Sequence, residues 1–305
     1  IHHLQDPGVD VDERDDEGRS ALLLAARGNQ VACVIHLLRR GAHVNAATET
    51  SLVTPMHEAV LGGHLRLTRI LLRRGANVSA KSVTGWTPLH LSAAAGNVEM
   101  TKTLLQRGAA AMSQRDARGR TPLMLAAKWG RLHVVGLLLD NADDIDARDA
   151  DGRTALEWAV QDTAPEEVYS DPFVEETDEI VDVEELRRLL EDPDADLTHG
   201  FEPPPGHHGH NLKVVHLLLQ RGANLYAPDS EGLTSLHRSG DAATTKMLLE
   251  LGAAVDTTDA AGRTPLMLAA ERGHVEVARL LLVHKADLNA RDKSGRTPLM
   301  YAAQK

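Results

Sequence analysis

A nine-residue run that recurs along the chain constrains it more than any other feature. Gly119-Arg-Thr-Pro-Leu-Met-Leu-Ala-Ala127 returns as Gly262-Arg-Thr-Pro-Leu-Met-Leu-Ala-Ala270 and as Gly295-Arg-Thr-Pro-Leu-Met-Tyr-Ala-Ala303. Variants stand at Thr54-Pro-Met-His57, Thr87-Pro-Leu-His90, Thr154-Ala-Leu-Glu157 and Thr234-Ser-Leu-His237. Thr54 and Thr87 are 33 residues apart, as are Thr264 and Thr297. A second motif closes the units, as in Leu37-Leu-Arg-Arg-Gly-Ala42 and Leu218-Leu-Gln-Arg-Gly-Ala223. Self-similarity at such a period means stacked supersecondary units rather than one large core.

The residue types explain the unit. Thr caps a helix with its hydroxyl, and Pro follows at the first helical position, where its missing N–H is no loss. Leu-x-Leu-Ala-Ala makes a short helix with a small-residue side. Gly63, Gly96, Gly130 and Gly273 end it in a left-handed conformation. A second amphipathic helix follows, for example Val275 to Leu282, with apolar residues at helical spacing. Gly-Ala ends that helix, and a polar stretch such as Asp116-Ala-Arg-Gly119 turns into the next unit. Each helix is too short to be stable alone, so every unit must stack on its neighbours. Aromatic residues make up only 3% of the chain against 42% hydrophobic, which suits close packing through Leu, Ala and Val.

These motifs resemble the ankyrin-repeat family over almost the whole chain. The resemblance implies an all-α solenoid of about seven to eight helix-turn-helix repeats, and a habit of binding other proteins. Repeats are expected at 15–48, 49–81, 82–114, 115–148, 258–290 and, in part, 291–305, after the end of a preceding repeat at 1–14. The repeat at 228–257 is shortened, because Leu236-His-Arg-Ser-Gly240 lacks nearly a turn. Both ends read as cut from a longer array.

The span 149–227 breaks the period. Its first helix, Ala155 to Val160, and its matching second helix at Val214 are separated by an acidic irregular segment, 162–209. That segment holds sixteen acids and two bases, Arg187 and Arg188, a net of −14 within a chain of −11. The remaining 28 acids and 31 bases nearly balance. Inside it, Val183-Glu-Glu-Leu-Arg-Arg-Leu-Leu190 has helical apolar spacing. One reading is a single repeat with an inserted loop. The other, which the Asp192-Pro-Asp-Ala-Asp-Leu197 ending favours, is two repeats of which the second has lost its first helix. Residues 165–180 read as a solvated loop, with a fold-back near Arg120 that competes with a partner as the alternative to be tested.

No nucleophile–base arrangement, phosphate loop or ordered pair of carboxylates appears, so the chain is read as non-catalytic and without cofactor or metal. His199, His207, His208 and His210 sit among Pro and Gly and read as incidental. Ile180-Val-Asp-Val183 resembles a strand-adding motif for ubiquitin-like modifiers but reads better as the start of a helix. His57, His90 and His237 read as structural, and Trp158 and Cys33 as core. The resemblance places Trp86 and Trp129 towards the concave groove, so both are candidate partner anchors. Lys128, Arg118, Arg120 and Arg153 complete the candidate partner-binding set.

The expected function is a scaffold or adaptor for a protein or peptide partner. The rival is the targeting portion of a larger enzyme. A nearly neutral body with few aromatics argues against nucleic acid. No apolar run is long enough to span a bilayer, and one cysteine allows no internal disulfide. An intracellular, cytoplasmic monomer is expected.

Overall fold

A computed structural model describes residues 10–108, 113–141, 144–160, 183–192 and 208–304, without the side chains at 185 and 208–210. Sixteen helices lie among these residues. The chain divides into two compact units, Ile1–Pro122 with Asp140–Ala142 and Asp178–Gly200, and Leu123–Leu139 with Asp143–Thr177 and Phe201–Lys305.

In the first unit, first helices α1 (Ala21–Arg27), α3 (Pro55–Leu61) and α5 (Pro88–Ala95) stack in order. Each carries its second helix, α2 (Val31–Arg39), α4 (Leu65–Arg73) and α6 (Val98–Leu105). Helix α7 (Pro122–Lys128) follows, its Pro122 falling in the first unit and the rest in the second. The second unit repeats the scheme. Its first helices are α9 (Ala155–Val160), α12 (Ser235–Arg238), α14 (Pro265–Arg272) and α16 (Pro298–Ala302). Its second helices are α8 (Leu132–Leu139), α11 (His208–Gln220), α13 (Ala242–Glu250) and α15 (Val275–Val283). Helix α10 (Val183–Glu191) belongs to neither row.

The caps follow from the sequence. Thr54, Thr87 and Thr264 are extended and accept from the third helical amide through their hydroxyls, with Pro at the helix start. Left-handed Gly96 and Gly273 end α5 and α14. In the first repeat, Gly28 ends α1 and Asn29 takes the left-handed position at φ 52°, a conformation Asn tolerates because its amide bonds locally.

Neighbouring turns are tied by backbone hydrogen bonds. The amide of Val83 donates to Ser51 O at 2.9 Å and that of Ala117 to Thr84 O at 3.0 Å. In the second unit, Ser230 donates to Asp151 O at 2.9 Å, Ala260 to Glu231 O and Lys293 to Ala261 O. The Asp151–Ser230 bond joins turns on either side of the long insertion, so the stack continues there as if the insertion were absent.

The stretch Val183–Leu190 lies apart from the row of second helices. The second-helix place is taken by α11, which packs against α8, α9 and α13, while α10 packs against α3 and α5. Helices α9 and α11 thus pack directly on each other although the segment between them is long. Cys33 lies on α2 half-buried rather than in the core. Helix α12 has four residues, and Ser239 after it is extended.

Candidate partner-binding face

The same side chains recur on the turns and first helices within each unit. In five repeats the turn carries an Asp–Arg pair: Asp15–Arg19, Asp116–Arg120, Asp149–Arg153, Asp259–Arg263 and Asp292–Arg296. The aspartate also accepts the arginine's amide, at 2.8 Å in the Asp116 and Asp149 turns, so it folds the turn as well as pairing the charge. Trp158 Nε1 donates to Asp149 Oδ2 at 2.9 Å and the Tyr301 hydroxyl to Asp292 Oδ2 at 2.8 Å. Arg238 pairs with Asp229 from the same place on its helix.

The repeats that begin near Thr48 and Ser82 lack this pair. Thr48 bonds the Ser51 hydroxyl at 2.7 Å, and Ser82 bonds Thr84 at 2.8 Å. Val53 and Trp86 stand where those five repeats carry arginine, as Leu233 does in the repeat from Asp229, and all three are buried. Neither the Thr48 turn nor the Ser82 turn holds an Asp–Arg pair, although Glu49 stands exposed in the first of them.

Histidine joins each first helix to the next repeat. The amide of Thr54 donates to His57 Nδ1 at 3.2 Å, which leaves the proton on Nε2 to donate to Trp86 O at 3.1 Å. His90 does the same with Thr87 and Arg120 O, and His237 with Thr234 and Arg263 O. Burial pushes His57 and His90 down to about 4, so both rings are neutral. The structural reading of all three histidines holds. Glu157 occupies the same position on α9. It accepts from the Thr154 amide at 2.7 Å through Oε2, while Oε1 is buried without a hydrogen-bond partner among the described residues. Burial raises this carboxyl to about 7.

The candidate residues fall in different places. Trp86 is 0% exposed and Trp129 8%, so neither presents an open ring to a partner. Trp86 stacks with His90 and lies 6.0 Å from the Arg120 guanidinium. Arg120 and Arg153 are buried in their aspartate pairs, the latter 4.1 Å over the Trp158 ring. Lys128 is half-buried, its ammonium 5.6 Å from the Trp129 ring and 5.1 Å from that of Trp158. Arg118 is half-buried on its turn. Trp158 is core, as expected. Residues 165–180, 199 and 207, Ile180 to Asp182, and the side chains of His208 and His210 lie outside the described residues.

Sequence reasoning missed Glu58. It lies on α3, is 3% exposed, and accepts both terminal nitrogens of Arg187 from α10, at 2.8 and 3.0 Å. The available signal was an acid where the neighbouring first helices carry Leu24, Leu91 and Leu125.

Capped first helices, a row of second helices and laddered turns define a helical repeat protein. The chain belongs to the ankyrin-repeat family: the family model described as "Ankyrin repeats (3 copies)" matches residues 1–82, 76–149, 110–168 and 238–305. Ankyrin repeats generally mediate protein–protein interaction. Among individual proteins, the chain is similar to cyclin-dependent kinase 4 inhibitor B of Rattus norvegicus, 39% identical over 32% of this chain and 80% of that protein. It is 40% identical to human cyclin-dependent kinase inhibitor 2A over 32% of this chain and 67% of that protein. It is 32% identical to the SMC5-SMC6 complex localization factor protein 1 of Bos taurus over 22% of this chain, but spans only 6% of that protein. No helix among the described residues is long and apolar enough to cross a membrane.

Proposed function

We propose that the chain is a scaffold or adaptor that captures a protein or peptide partner, without catalysis, through the face formed by its turns and first helices. One observation carries this reading: in the first unit that face already holds a helix, α10, against α3 and α5. Relatives named as kinase inhibitors support capture without turnover. The motifs shared by all of this chain's own repeats are scaffold positions, so such likeness does not select a partner.

In this reading the rim residues Lys128 and Arg118 meet the partner, while Trp86, Trp129, Arg120 and Arg153 brace the surface from beneath. The partner is a protein rather than nucleic acid, the chain acts as a monomer inside the cell, and it does not insert into a membrane. The test is affinity capture with the full chain, followed by cross-linking to locate the contact. Lys128→Glu with Arg118→Glu should weaken a captured partner by about tenfold, or roughly 1.4 kcal/mol, with an unchanged helical spectrum. Equal capture by both chains defeats the rim assignment.

A second reading has its own observation. The match to the SMC5-SMC6 localization factor covers 6% of that protein, so arrays of this kind occur within much longer chains. The present sequence would then be the targeting portion of a larger protein, including an enzyme, and the full reading frame decides it.

A further inference from the structure

Helix α10 is seated like a ligand. Leu186, Leu189 and Leu190 fall at helical i, i+3 and i+4 and are all buried. The helix packs on α3 and α5. Between the leucines, Arg187 makes a bidentate pair with Glu58, and no other described residue bonds that carboxylate. At the far end the Thr84 hydroxyl donates to Leu190 O at 3.3 Å, satisfying a carbonyl that a helix C-terminus leaves open.

The surface beneath is specialised for this occupant. The two repeats that receive α10 are the two whose turns replace the Asp–Arg pair with Thr48–Ser51 and Ser82–Thr84. A charged pair there would have to lose its water when a helix arrived, a cost that neutral hydroxyls largely escape. Glu58 supplies the one matching charge. A cavity of about 460 Å³ continues beyond the end of α10, bordered by Arg19, Arg27, Thr48, Ser51, Glu58 and Glu191, so the face extends past the helix that covers it.

We propose that this face is a helix-docking site which α10 occupies in cis, and that the partner enters as an amphipathic helix of the same chemistry. That helix presents leucines at i, i+3 and i+4 with an arginine at i+1 that reaches Glu58. The inference rests on the scaffold reading and adds to it the kind of partner and its control. Nine residues of helix do not hold together alone in water, so α10 is helical because the face holds it. Its attachment to the chain gives it a high local concentration, and a partner must outcompete it. Here a basic residue of the acidic segment meets an acid on the repeats.

The probe is a labelled synthetic peptide of residues 180–194. It is titrated into the wild-type chain and into a full-length chain carrying Leu186→Asp and Leu190→Asp, which unseat α10. The unseated chain should bind the peptide at least about tenfold more tightly than wild type, as loss of an intramolecular competitor requires. Arg187→Glu in the peptide should abolish binding, and Glu58→Arg in the unseated chain should restore it. No binding to the unseated chain, or indifference to Arg187→Glu, overturns the proposal. Should the double-aspartate chain lose its helical spectrum, Arg187→Glu in the full chain serves instead. That single change should make α10 more accessible to protease cleavage, and unchanged cleavage overturns the proposal. A wild-type dimer that the peptide dissociates would make the occupant a second copy and overturn the cis assignment. A captured partner that does not compete with the peptide leaves the scaffold reading standing and removes this inference. Peptide docking in a chain that captures no partner does the reverse, leaving a docking face without a scaffold role.

Discussion

At the residue scale the informative positions are those where one repeat departs from the rest. Glu157 stands where His57, His90 and His237 stand in theirs, and the exchange reverses the response to pH. Burial holds the Glu157 carboxyl at about 7 against an ordinary 4.5. The folded chain keeps a proton there that the unfolded chain gives up. Its contribution is therefore full below about pH 4.5 and falls as pH rises to about 7. His57 and His90 are pushed down to about 4 from 6.5, so the unfolded chain takes up protons that the fold refuses. Their contribution is full above about 6.5 and is lost as pH falls towards 4. Glu157→His should flatten the alkaline arm of a stability–pH profile and deepen the acid arm, as a further buried histidine requires. Denaturant midpoints at pH 5, 6.5 and 8 measure this, and an alkaline arm unchanged by the substitution would refute the assignment.

At the element scale the turns lock the stack. Gly85 has φ 78°, and a Cβ there would stand 2.5 Å from the amide nitrogen of Ala117 in the next turn. Gly41 has φ 92° with nothing within 4 Å of a built Cβ. Both positions disfavour a side chain by conformation, and only Gly85 adds a clash between repeats. Gly41→Ala should cost about 1 kcal/mol, the strain of a left-handed residue. Gly85→Ala should cost about 2 to 3 kcal/mol, since backbone must also move. Equal losses in chemical denaturation would show that the close approach between turns does not matter. The motif Thr-Pro-Leu-His was fully legible in the sequence, because capping and helix entry depend on residues adjacent along the chain. The Asp–Arg pairs were not, although their residues were in view: Arg120 and Arg153 read as groove residues, and the structure turns them inward onto their aspartates.

At the scale of the whole molecule, stability should be uneven. A repeat protein's stability is close to a sum over repeats and their interfaces. The weakest repeat is the one with α12, whose four residues offer one turn. Side chains partly replace the missing turn: Ser239 bonds the Thr245 hydroxyl at 2.6 Å, and Arg272 donates to His237 O at 3.1 Å. Amide exchange should therefore open residues 235–250 before α3 to α6, and α10 before either. Uniform protection would contradict this ordering. The insertion leaves the stack itself unbroken, as the Asp151–Ser230 bond requires, so its cost lies in chain entropy rather than in lost interfaces.

The amino-acid sequence by itself determined the period, the caps, the family and the shortened repeat, because each is written in short-range patterns repeated many times. In the irregular segment the interruption and the helical spacing of 183–190 were legible, but not the seat of that helix. Where its helix would bind was decided by tertiary structure: Leu186, Leu189 and Leu190 needed an apolar face to cover them, and Arg187 needed a buried acid. Only the folded stack brings α3 and α5 together with Glu58 placed to receive Arg187. An acid where the neighbouring first helices carry Leu24 and Leu91, and two turns without their charged pair, were the traces of that site in the sequence, and they acquire meaning only once the repeats are placed side by side.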